Sequence, residues 1–74
     1  MKGFIEVYVY SMYYANNNRV ERKINSNLLI NVKEIKLVSG CHIILEENDM
    51  LWDLSCREDY EEIKQKIKEA QVQK

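Results

Sequence analysis

Three side chains in this sequence are equipped for soft-metal or thiol chemistry: Cys41, His42 and Cys56. A structural zinc site gathers four such ligands in a tetrahedron. A reactive thiol needs a neighbouring base or a helix N-terminus to favour the thiolate. Cys41 and His42 are adjacent in a segment that alternates like a strand, so they point to opposite sides and should not share one ion. The spacing from these two to Cys56 matches no zinc motif. Cys56 is expected in the first turn of a helix, where the dipole favours a thiolate, but it also lies on the apolar stripe of that helix. No base is near it in sequence, and a small buried hydrophobe is the stronger reading.

Carboxylates are plentiful in the second half of the chain, yet no two are singled out as an acid–base pair. There is no glycine-rich phosphate loop and no nucleophile elbow. The expectation is therefore no enzyme, no cofactor and no metal.

A second group could recognise a partner. Tyr8, Tyr10, Tyr13 and Tyr14 precede Arg19, Arg22 and Lys23 in what reads as one hairpin. Aromatic platforms beside cations hold single-stranded nucleic acids, and tyrosine and arginine are also enriched where proteins meet. The overall charge is -1 and the pI about 5.8, which disfavours a general phosphate binder. Charge is nonetheless uneven. Residues 19–36 are net basic and residues 46–62 strongly acidic, as expected of solvated faces that attract each other within the fold or across a dimer.

The elements that must position these residues follow from periodicity. Phe4 to Tyr10 is dense in β-branched and aromatic residues, with Ile5, Val7 and Val9 on one face and Tyr8 and Tyr10 on the other. The strand is expected over about 3–14. Asn16-Asn17-Asn18 reads as a turn, and the return strand as 19–30, interrupted near Asn25-Ser26-Asn27 in the manner of a bulge. Asn31 is in cap position for one helical turn. Further strands are expected at 35–38, 41–46 and 50–54, with Ser39-Gly40 and Glu47-Asn48-Asp49 as turns. A helix is expected over 56–70, opened by Ser55 as N-cap and Glu58 as the capping-box partner, with Cys56, Tyr60, Ile63, Ile67 and Ala70 as its buried stripe. The whole reads as one α+β domain, residues 1–74, an antiparallel β-meander of four to five strands with one C-terminal amphipathic helix.

Composition frames the partners. The chain has 74 residues, 46% hydrophobic and 31% charged, with no proline, which is globular. A domain this short buries only about 60% of its unfolded surface. Without a disulfide or metal, self-association is the expected support. One short helix covers one sheet face, while the strands carry apolar residues on both. The second face must close a barrel or meet another molecule. Met1-Lys2-Gly3 leads into an apolar run broken at Glu6, with no cleavage-site pattern. No stretch reaches the ~20 apolar residues of a membrane span. A cytoplasmic protein with reduced thiols is expected.

The run Phe4-Ile5-Glu6-Val7, then Leu29-Ile30-Asn31-Val32-Lys33-Glu34-Ile35, an apolar hairpin, and Ser55 with Tyr60-Glu61-Glu62-Ile63 resembles short uncharacterised bacterial proteins, which are distantly similar to the small flagellar-motility protein FlbD family. The first hairpin is longer here, and Ser55 to Tyr60 expands the helix start. The resemblance covers most of the chain. It implies a β-meander with a C-terminal helix and a homodimer, and carries over no catalytic residue.

The sequence thus reads as a non-enzymatic interaction or regulatory module acting as a homodimer, with Tyr8, Tyr10, Ile44 and Leu51 at the interface. An unknown protein partner is also compatible with it. The alternative is an RNA- or single-stranded-DNA-binding module that uses Tyr13, Tyr14, Arg19, Arg22 and Lys23.

Overall fold

The computed structural model describes residues 3–14 and 21–72. The expected Asn16-Asn17-Asn18 turn and Arg19 lie outside them. Five strands form one antiparallel sheet: β1 (Phe4–Tyr14), β2 (Glu21–Asn31), β3 (Ile35–Ser39), β4 (His42–Glu47) and β5 (Met50–Cys56). One helix follows, α1 (Tyr60–Val72). The sheet order is β2-β1-β5-β4-β3. β1 thus pairs both β2 and β5, and β2 and β3 are the two edges of the sheet. The α+β class and antiparallel meander expected from periodicity are present.

Local chemistry accounts for the connections. Val32–Glu34 is a single 3-10 turn, and the Asn31 side chain accepts from the Lys33 N–H at 3.0 Å. Gly40 opens the two-residue β3–β4 turn at φ 59, the position where a type II′ turn requires glycine. Asn48 and Asp49, at φ 54 and 63, make the β4–β5 turn, and two consecutive positive φ values define type I′. The register of β1 shifts between Val9 and Ser11 against both neighbours, and Asn25 opposite it has φ 50. The bulge read near Asn25 is therefore real, and it inverts parity: Met12, not Ser11, continues the face of Val9.

Ile5, Val7, Val9, Ile30, Ile43, Leu54 and Cys56 are buried in one cluster with Ile63 and Ala70 of α1. Ile63 is fully buried and Ile67 packs against the same cluster, whereas Tyr60 is exposed.

The helix start differs from expectation. β5 runs on to Cys56, and α1 begins at Tyr60. Ser55 and Glu58 form no capping box. The Cys56 N–H donates to Cys41 O at 2.8 Å and the Arg57 N–H to Tyr8 O at 2.9 Å. The Glu58 carboxylate accepts from the Tyr8 N–H at 3.0 Å. The free edge of β1 thus draws this segment into a continuing ladder, and a tertiary partner for each donor outcompetes a local cap. Asp59 caps instead, its Oδ1 accepting from the Glu62 N–H at 3.0 Å. Cys56 is buried as expected, but on the sheet and not on the helix.

Candidate functional site

Directly opposed residues of antiparallel strands share a face, so the register assigns each side chain to the helix-covered or the helix-free side. Tyr8 pairs Asn27, and Glu6 pairs Leu29, opposite in parity to Val7 and Val9. Beyond the bulge, Tyr13 pairs Glu21 on one side and Asp53 on the other. Asp53 in turn pairs Ile44, and Ile44 pairs Leu37. Leu51 pairs Glu46 on the same side. Tyr10, at the bulge, meets the Tyr8 ring edge-on at 5.4 Å between centroids. All four expected interface residues, Tyr8, Tyr10, Ile44 and Leu51, therefore lie on the helix-free face. Phe4, Leu29 and Leu37 join them; Leu29 and Leu37 show no sequence signal for this face, because only the strand register assigns them to it.

The exposure pattern follows this division. Among the described residues, the large apolar side chains left exposed are Phe4, Tyr10, Tyr13, Leu29, Leu37, Met50 and Tyr60. Phe4, Tyr10, Tyr13 and Leu29 stand on the helix-free face; Leu37 is placed there by its pairing with Ile44 and, on the edge strand β3, also borders the groove against α1. Leu29 and Leu37 are 54% and 57% exposed. The second face does not turn inward as a barrel would have it.

A polar row crosses this face. Lys23, Ser11, Ser55, His42 and Ser39 are successive register partners from β2 to β3. His42 Nδ1 lies 3.0 Å from Asp53 Oδ1 and 3.5 Å from Ser55 Oγ. The residue types are those of a hydrolase triad, but the wiring is not. A triad places the carboxylate on one ring nitrogen and the hydroxyl on the other, whereas here both meet Nδ1. The cluster is solvent-exposed on the sheet surface. No group of three or more potential metal ligands occurs among the described residues.

The residues read as a nucleic-acid patch are divided by the register. Lys23 and Tyr13 occupy the helix-free face, as partners of Ser11 and Glu21. Arg22 pairs Met12, and Tyr14 pairs Trp52, both on the opposite side. The Tyr14 and Trp52 rings lie 5.1 Å apart between centroids, tilted by 37°. Arg57, which was not singled out in sequence, lies 4.6 Å from the centroid of the Tyr8 ring. The basic and acidic segments meet within the fold, where Lys36 Nζ lies 3.2 Å from Glu46 Oε1.

An apolar groove of about 330 Å³ runs between β3 and α1, lined by Ile35, Leu37, Val38, Tyr60 and Ile67, with Lys36 and Lys64 at its sides. Within the described residues, no helix is long and apolar enough to cross a membrane. Comparison with protein-family models, with curated proteins and with solved structures gives no match.

Proposed function

We propose that this chain is a non-enzymatic interaction or regulatory module that acts as a homodimer through its helix-free sheet face. The observation that carries the reading is the concentration of exposed apolar side chains on that face: Phe4, Leu29 and Tyr10 on one side of the polar row, Tyr13 and Leu37 on the other. Soluble monomers rarely leave contiguous apolar patches above a few hundred Å² in water. A twofold axis buries the same patch on both copies. The polar row then supplies register, since hydroxyls, His42 and Asp53 need partners wherever the face is covered.

A cytoplasmic setting and kinship with the FlbD family belong to the same proposal. They rest on the resemblance of the I-E-V and L-I-N segments. A single-stranded nucleic-acid surface draws less support, because Arg22 and Tyr14 face away from Tyr13 and Lys23.

Sedimentation velocity on charge-bearing variants tests the dimer. Ile44→Glu and Tyr10→Glu should shift the chain from dimer to monomer at micromolar concentration. Met50→Glu, on the other face, should leave the dimer intact. A dimer equally weakened by all three, or by none, removes the face from the proposal.

A further inference from the structure

The spacing of Cys41 and Cys56 matches no metal motif, but the sheet register brings the two residues opposite each other. His42 pairs Ser55, and one step further the Cys56 N–H donates to Cys41 O at 2.8 Å. Cys41, the last residue of the β3–β4 turn, therefore stands opposite Cys56 at the end of β5, one step beyond the His42–Ser55 pair, and this backbone hydrogen bond joins the two. Such pairs hold their Cα atoms ~5.5 Å apart, inside the ~4.4–6.8 Å that a disulfide spans. Opposed side chains also share a face. Cys41 is exposed beside the Gly40 turn, and Cys56 is buried behind it.

We propose that Cys41 and Cys56 are a redox-sensitive modification site, closed to an intrachain cross-strand disulfide by a low-molecular-weight disulfide that enters at Cys41. The exposed Cys41 thiolate attacks one sulfur of the reagent. The reagent's S–S bond breaks, a mixed disulfide forms on Cys41, and the first small thiol departs with a proton from water. Cys56 then gives its proton to solvent and attacks the Cys41 sulfur, expelling the second small thiol. The two protein thiols lose two electrons and the reagent gains them. No other reactant is needed.

The two steps differ in pH dependence. Burial, and after it the charges of Glu58, Cys41 and Asp53, push the Cys56 thiol up to about 12. The second step is therefore slow at neutral pH and speeds up roughly tenfold per pH unit until that value. The closed bridge ties the start of β4 to the end of β5 and removes freedom from the unfolded chain.

The test treats the purified full chain with excess oxidised glutathione near pH 7 and near pH 9, followed by intact mass and non-reducing peptide mapping. A glutathione adduct on Cys41 should appear first. It should convert to a monomeric chain lighter than the reduced protein by two hydrogen atoms, with the Cys41 and Cys56 peptides joined. Conversion should be about a hundredfold faster at the higher pH. The bridged form should melt higher, by on the order of 10 °C. Cys56→Ala should stop at the adduct, and Cys56→Ser serves if alanine disturbs the core. Cys41→Ser should take up no glutathione. An adduct on the wild-type chain that persists unconverted near pH 9, or Cys41 linked between two chains in place of an internal bridge, would overturn the proposal.

Discussion

The two faces of this one sheet are built from similar residues and meet different fates. On the helix-covered side, Val7, Val9, Ile43 and Leu54 lose all contact with solvent beneath Ile63. On the other side, Tyr8, Ile44 and Leu51 are only half-buried, and Tyr10, Leu29 and Leu37 are exposed. Strand alternation distributes apolar side chains to both faces, but one helix of thirteen residues can cover only one. Burial on the first side comes from within the chain. On the second side the proposed dimer supplies it. Under the proposed dimer the difference also separates two kinds of residue: those whose change unfolds the domain, and those whose change alters only its assembly.

The largest effect should come from the covered side. Ile63→Asp places an unpaired charge against Leu54 and Ile43, and a buried charge of this kind costs more than a small domain's margin of several kcal/mol. Circular dichroism should show no cooperative melt. A melt near the wild-type midpoint would mean that α1 does not close this core.

A smaller effect is expected at the seam where the ladder leaves the sheet. Glu58 accepts from the Tyr8 N–H through both carboxylate oxygens, at 3.0 and 3.3 Å. Glu58→Ala leaves that part-buried donor without its partner and should cost about 2 kcal/mol in urea unfolding. Glu58→Gln should recover part of the loss. If Glu58→Ala is neutral, Glu58 is a surface residue and the helix could have started earlier.

The smallest effect on the fold should come from the helix-free side. Measured at concentrations where both proteins are monomeric, Ile44→Glu should change unfolding free energy by less than about 1 kcal/mol. A loss comparable to that of Ile63→Asp would mean that both faces serve the fold, and the contrast between them would disappear.

Much of the fold is legible in the sequence because it rests on local rules. Alternation in Phe4–Tyr10, glycine at position 40, the Asn48-Asp49 turn and the spacing of Ile63, Ile67 and Ala70 each speak within a few residues. The helix start was not legible. Ser55-x-x-Glu58 is a sound local cap, but the decisive competitors, Tyr8 and Cys41, stand far away in the chain and become neighbours only through the β1–β5 and β4–β5 pairings. Tyr13, Tyr14, Arg19, Arg22 and Lys23 are close in sequence, but period two sends adjacent strand residues such as Tyr13 and Tyr14, or Arg22 and Lys23, to opposite faces. The cysteine pair shows the reverse: a spacing that matches no motif becomes a direct contact once the register is known.

The most direct test of the central claim is the mass of the wild-type chain by light scattering across the micromolar range. The helix-free face, if it is a self-complementary surface, predicts a mass twice the 8.9 kDa of one chain, falling toward one chain on dilution. A mass of one chain at every accessible concentration would contradict it.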